Sequence, residues 1–215
     1  MSPMPVVEIE TPRGPARAYL HPVDEPKAAM VLGHGASGGV ESQDLVVATD
    51  VANEQGISVA LVEQPYKVAG RRAPAPAPRL DEAWLAVVER LRAEELDGLP
   101  LIAGGRSLGA RVACRCAEAT GAIAVLCLAF PLQPKRRSDN PPPSRQPELD
   151  RVEVPVLVVQ GEKDQFGMPP EGPHRKVVTV AGNHSLRSDL DAVGAAVRDW
   201  LPGIVREAAG AAAGS

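Results

Sequence analysis

Apolar positions along the chain fall into two alternating kinds of segment. Short runs without charge read as buried strands: Ala28 to Leu32, Ile57 to Val62, Pro100 to Ala103, Ala122 to Phe130 and Val154 to Gln160. Between them, apolar residues recur at helical spacing. Leu45, Val46, Thr49 and Ala52 mark a helix from about Gln43 to Gln55, with Gly56 where a C-terminal glycine cap belongs. Leu80, Trp84, Val87, Val88 and Leu91 share one helical face. Leu108 to Ala119 reads as a third helix. Leu190, Val193, Val197 and Leu201 mark a last one that starts near Asp189. Two further strands, Val6 to Glu10 and Ala16 to Leu20, flank Pro12-Arg13-Gly14-Pro15, and Arg175 to Val180 reads as a strand near the end.

Strands and amphipathic helices that alternate in this way predict an α/β class. The expected architecture is a three-layer α/β/α sandwich with a mostly parallel central sheet, formed by a single domain over residues 1–207. Proline breaks the pattern in three places. Pro74, Pro76 and Pro78 predict an extended segment within 65–79. Residues 131–149 are rich in proline, with Lys135, Arg136 and Arg137 between, and read as a loop. Pro202-Gly203 is expected to interrupt the last helix, and the small residues of 208–215 to fray.

Composition narrows the function classes. The 215 residues suffice for one sizeable core. Lys plus Arg number 23 and Asp plus Glu 27, a net charge of −4, which argues against a dedicated binder of nucleic acid or anionic membrane. The longest apolar stretch, Ala122 to Leu132, falls short of the roughly 20 residues of a membrane-spanning helix. The opening MSPMPVVEIE lacks the basic region of a secretory signal. Cys114, Cys116 and Cys127 give neither a disulfide framework nor a zinc spacing, and read as buried free thiols of a cytoplasmic protein.

Candidate chemistry centres on Gly105-Arg106-Ser107-Leu108-Gly109, a G-x-S-x-G between an apolar strand and a helix. A serine on such a tight turn projects its hydroxyl from the C-terminal edge of the sheet, and the flanking glycines admit neighbouring backbone. The bland alternative is a serine that N-caps the helix. A serine nucleophile needs a base. His184, just past the strand that ends at Val180, lies at the same sheet edge. Asp164, past the strand that ends at Gln160, is the candidate to orient it, and gives the chain order Ser, Asp, His. Glu162 is the runner-up, with Asp150 and Asp139 weaker. The oxyanion donors are expected at the N–H of Leu108 and, from His34-Gly35-Ala36-Ser37-Gly38, at that of Ala36. His34 reads as a residue that pins its loop.

Gly33-His34-Gly35-Ala36-Ser37-Gly38 also matches G-x-G-x-x-G, and Glu63 closes the next strand, so a dinucleotide site is a rival reading. The rival needs the third glycine to open a helix, whereas the helical pattern starts only near Gln43. It also leaves Ser107, Asp164 and His184 without a role.

Together with Gln64-Pro65-Tyr66, Gly161-Glu162-Lys163-Asp164-Gln165-Phe166-Gly167 and Gly182-Asn183-His184-Ser185, these segments resemble an α/β-hydrolase over nearly the whole chain. The resemblance is to the small members grouped as dienelactone-hydrolase-like and testis-expressed-protein-like. It implies Ser107 as nucleophile, Asp164 as acid and His184 as base, with no metal or cofactor. It places the 131–149 loop where such proteins carry a lid, and so implies a minimal lid or none. Dienelactone hydrolases proper use a cysteine where this chain has Ser107. The expected activity is hydrolysis of a carboxylic ester or related small acyl substrate by a monomer or homodimer. The alternative class is an inactive protein-interaction module. Lys67, Arg71 and Arg106 are candidate substrate contacts, with Arg106 open to a structural bridge instead.

Overall fold

Alternate residues of each central strand face opposite sides of one sheet. In β3 (Ala28–Gly33), Ala29 and Val31 join one hydrophobic cluster, while Ala28, Met30 and Leu32 join another. This explains why the strand reads as continuously apolar: both of its faces are covered. The computed structural model describes residues 5–134 and 142–213. Among them, β3 lies in an eight-stranded sheet with β1 (Val6–Ile9), β2 (Ala16–His21), β4 (Ile57–Glu63), β5 (Leu101–Arg106), β6 (Ala124–Leu128), β7 (Val156–Gly161) and β8 (Arg175–Val180). The order is β1-β2-β4-β3-β5-β6-β7-β8. β1 and β2 pair antiparallel, as do β2 and β4, and every pairing from β4 through β3 to β8 is parallel.

Helices cover both faces. α1 (Gln43–Glu54) and α6 (Leu190–Ala213) pack on the side of Met30 and Leu32. α3 (Ala77–Ala93), α4 (Leu108–Thr120) and the short α5 (Gln146–Asp150) pack on the side of Val31, with Trp84, Leu91 and Leu149 fully buried. The result is the expected three-layer sandwich. Among the described residues no helix or strand stands between β6 and α5 as a lid. The core of the 131–149 stretch, including Lys135, Arg136, Arg137 and Asp139, lies outside the described residues.

The chain leaves β3 for β4 on one side and reaches β5 on the other. Parallel strands whose connections part in opposite directions leave a crevice at their carboxyl ends. Gly33 and Gly105, paired in the register of β3 and β5, end at that crevice.

Three expectations from proline need correction. A single turn, α2 (Pro65–Val68), opens the 65–79 segment, and α3 begins at Ala77 with Pro78 in its first turn. Proline is tolerated there because the first-turn N–H groups have no helical acceptor anyway. Pro147 sits likewise in the first turn of α5, within the stretch expected to be loop. Pro202 does not interrupt α6, which continues to Ala213, so the expected frayed tail is helical over most of its length. Proline at 202 cannot donate to the carbonyl of Arg198 four residues back. That carbonyl instead accepts the side-chain amide of Gln55 in α1, at 2.8 Å.

Candidate active site

Ser107 sits between β5 and α4 with φ 52° and ψ −103°, a conformation that L residues rarely adopt. The turn closes because glycines flank it. A Cβ on Gly109 would lie 2.1 Å from the carbonyl oxygen of Gly33, and one on Gly105 2.4 Å from the same atom. The strained turn is thus wedged against the end of β3, and its N–H donates to Leu128 O at 2.9 Å. Ser107 makes no side-chain capping bond to α4, contrary to the bland alternative.

The Ser107 hydroxyl faces the imidazole of His184, Oγ to Nε2 at 2.9 Å. His184 Nδ1 lies 2.7 Å from Asp164 Oδ2. In the tautomer this pattern requires, Nδ1–H donates to the carboxylate and Nε2 is left to accept from the serine. The loops after β5, β7 and β8 therefore bring together Ser107, Asp164 and His184, residues far apart in the chain. Asp164 has a side chain 1 % exposed, and it also accepts the N–H of Phe166 at 2.9 Å and Gln160 Nε2 at 2.8 Å. Gln160 is fully buried in β7, and its amide also reaches the carbonyls of Phe130 and Gly167. The ring of Phe166 meets the His184 imidazole edge-on, 4.5 Å between centroids.

The loop after β3 forms the facing wall. Ala36, Leu108 and Ser107 line one cleft of about 530 Å³ with Phe166. Among the described residues no acceptor takes the N–H of Ala36 or Leu108. His34 pins this loop, as expected. Its Nδ1 donates to Gly35 O at 2.7 Å and its Nε2 accepts the N–H of Gln64 at 3.2 Å. Burial holds His34 below the ordinary imidazole range, in line with a neutral ring. Tyr66 donates to the carbonyl of Ala36 at 3.2 Å, and burial pushes its hydroxyl up to about 12.

Arg106 turns away from the cleft and serves as a bridge. Its Nε lies 2.9 Å from Asp44 Oδ2 in α1, and its Nη2 donates to the main-chain carbonyl of His184 at 3.0 Å. Asp44 is 1 % exposed, and burial raises its carboxyl above the usual range against the opposing pull of Arg106. Gly35 leaves room for this guanidinium, since a Cβ there would meet Arg106 Nη1 at 2.8 Å.

Other candidates lie elsewhere. Lys67 is half-buried in α2, and Arg71 lines a separate cleft with Tyr66 and Arg79. The basic residues at the Ser107 cleft are instead Arg111 of α4 and Arg145. Glu162 is exposed beside Lys163, and Asp150 pairs with Arg175. The glycine loop after β3 opens no helix, because α1 starts at Gln43, and Glu63 accepts from Tyr19 at 3.4 Å. The dinucleotide reading thus lacks its helix. Among the described residues no three His, Cys, Asp or Glu side chains gather as a metal-ligand set, and no helix is long and apolar enough to cross a membrane. Sequence reasoning missed Gln160, Phe166, Arg111 and Arg145. The polar Gln160 at the end of an otherwise apolar strand was the one available signal.

Solved structures share this fold. A Xanthomonas campestris protein described as an α/β serine hydrolase without a lid superposes with a TM-score of 0.74 at 20% identity, covering 96% of this chain and 95% of that one. Est1E from Butyrivibrio proteoclasticus gives 0.75 at 21% identity over 94% and 99% of the two chains, and has also been solved with ferulic acid bound. A dienelactone hydrolase from Anabaena variabilis gives 0.72 at 14% identity over 93% and 97%. No curated protein matches the sequence. These likenesses share the fold, and the family assignment comes from the sequence itself. The model of the family described as "Alpha/beta hydrolase domain" matches residues 26–190, so this chain belongs to that family.

Proposed function

We propose that the chain is a serine hydrolase that cleaves a carboxylic ester or related small acyl substrate through an acyl-enzyme. The observation that carries this reading is the continuous relay Asp164–His184–Ser107 at 2.7 and 2.9 Å, ending on a strained serine at a cleft. In the proposed reaction His184 Nε2 takes the hydroxyl proton as Ser107 Oγ attacks the substrate carbonyl carbon. Charge that builds on the carbonyl oxygen meets the N–H groups of Ala36 and Leu108, and loss of one such donor in a well-studied protease costs roughly 3 kcal/mol of barrier. The tetrahedral species collapses with cleavage of the C–O bond, and His184 returns the proton to the leaving alkoxide. Water, deprotonated by the same imidazole, then hydrolyses the acyl-serine. Asp164 holds the imidazole and stabilises its cationic form.

Covalent labelling with a fluorophosphonate, read by intact mass, tests the proposal. One adduct on the wild type and none on S107A is the expected result. Absence of an adduct on folded wild-type protein would overturn it and leave the inactive interaction module in its place.

A further inference from the structure

Among the described residues, positive charge at the Ser107 cleft exceeds the negative charge that meets it. Arg111 donates a fork to Glu148, from Nε at 2.8 Å and Nη2 at 2.6 Å. Arg115 makes a second fork on Asp81, at 2.8 and 2.6 Å, and its Nη1 also lies 3.4 Å from Glu148. Arg145 stands beside this network with a different partner. Its Nη1 donates to the carbonyl of Pro131 at 2.9 Å, and its own N–H donates to Leu132 O at 2.9 Å. Among the described residues no carboxylate lies within ion-pair distance of Arg145, and its Nε and Nη2 donate no hydrogen bond. Three guanidiniums thus share two carboxylates.

The position of the surplus charge is what gives it meaning. Arg145 and Arg111 both line the cleft that holds Ser107, Leu108 and Phe166. Arg145 is half-buried, and burial together with nearby Arg111 pulls its guanidinium below the ordinary arginine range. A solvated surface arginine bears no such burden. Glu148 opposes this pull only from a distance, and a half-buried cation with no carboxylate in contact stands at a cost that an arriving anion lowers. Two unused N–H groups on a planar fork match the oxygens of a carboxylate or phosphate.

We propose that Arg145 is the anion-recognition residue of this cleft, so that the natural substrate carries a carboxylate or phosphate group within reach of the scissile ester. The inference rests on the acyl-transfer reading of Ser107 and names the substrate class for that site. Arg111, whose charge is already paired in a fork with Glu148, supports the local field and is not the ligand.

The test is inhibition of 4-nitrophenyl pentanoate hydrolysis by three small molecules: glutarate, 4-phosphonobutyrate and the neutral glutaramide. Wild-type protein should be inhibited competitively by one or both anions at concentrations at least tenfold below glutaramide. Stronger inhibition by glutarate points to a carboxylate substrate, and by the phosphonate to a phosphate. In R145Q the anion inhibition constants should rise about 10- to 100-fold, the range of a charge-assisted hydrogen bond, and by more than any change in kcat/KM for the neutral ester. R145K, which keeps the charge and loses the fork, should fall between. Equal inhibition by anions and glutaramide in the wild type overturns the inference without any variant, and so do unchanged anion constants in a folded R145Q. Fluorophosphonate labelling of the same wild-type sample separates the two levels. A labelled protein indifferent to anions sinks the substrate class alone, and an unlabelled one sinks the acyl-transfer reading and this inference with it.

Discussion

Arg106, the residue before the candidate nucleophile, donates from Nη2 to the main-chain carbonyl of His184, 78 residues away, at 3.0 Å. Ser107 and His184 are thus tied by a second bond besides the one between Oγ and Nε2. The tie is anchored in turn by Asp44, buried in the first turn of α1. Breaking a buried pair by removing one partner costs about 3–5 kcal/mol, whereas removing both is much milder. Urea unfolding should therefore find R106L destabilised by about 3 kcal/mol and the D44L/R106L double variant by less. Both should lose turnover about tenfold or more with KM little changed, because the base is no longer held over the serine. Equal kcat in R106L and wild type would remove Arg106 from the positioning role.

The strained backbone of Ser107 predicts a gain of stability on loss of function. A non-glycine residue in such a sparsely populated region costs about 1–3 kcal/mol. Glycine at 107 relieves that strain, and alanine does not. S107G should melt above S107A, with a difference of about 1 kcal/mol once glycine's greater chain entropy is set against the relief. Both variants should fail to hydrolyse ester. Calorimetry on the pair is the check, and a lower melting temperature for S107G would contradict it.

Gln160 is the buried amide behind Asp164. Its replacement by leucine strips one hydrogen bond from the carboxylate and leaves the carbonyls of Phe130 and Gly167 without this partner. Buried groups left unsatisfied cost about 1–3 kcal/mol each. Q160L should lose stability in that range and kcat by about tenfold, with the rate of fluorophosphonate labelling falling in step. Labelling at the wild-type rate would show that Asp164 is oriented without the amide.

A pH effect follows from His34. Its folded-state value lies below the ordinary 6.5, because burial disfavours the cation. The unfolded chain therefore binds more protons between the folded value and about 6.5, and stability falls as pH drops through that window. A proton on Nε2 would also confront the N–H of Gln64 that now donates to it. His21, likewise lowered by burial, adds an effect of the same sign. Urea midpoints measured from pH 7.5 to 5 should fall more steeply for wild type than for H34Q. Parallel slopes would place the acid sensitivity elsewhere.

The elements that local patterns encode are legible in the sequence. β3 and β6 announce themselves because both faces are buried and no polar residue is tolerated. Ser107, Asp164 and His184 could be named because each follows a strand, and parallel strands bring such ends to one edge. What stayed hidden depends on distant partners. Pro202 reads as a breaker until Gln55, 143 residues from Arg198, is seen to fill the bond it vacates. Spacing does not say which side of α2 or α4 meets the crevice, so nothing in the sequence marks Arg111 and Arg145 as the basic residues that line the Ser107 cleft. Gln160 looked like the polar end of a strand, and only the packed loops reveal it as a donor to Asp164.

Among the described residues β8 has one neighbour, β7, whereas β5, which leads into Ser107, lies deep in the sheet. Its pattern of buried and exposed residues shows it half-open to solvent, and the loop that bears His184 hangs from its end. Outer elements of a fold open at lower free energy than its centre. On the hydrolase reading, peeling this single strand removes the base and leaves the serine standing in an intact sheet. A heat-inactivation half-life measured on this molecule would then time the fraying of its rim, well before any melting of the core.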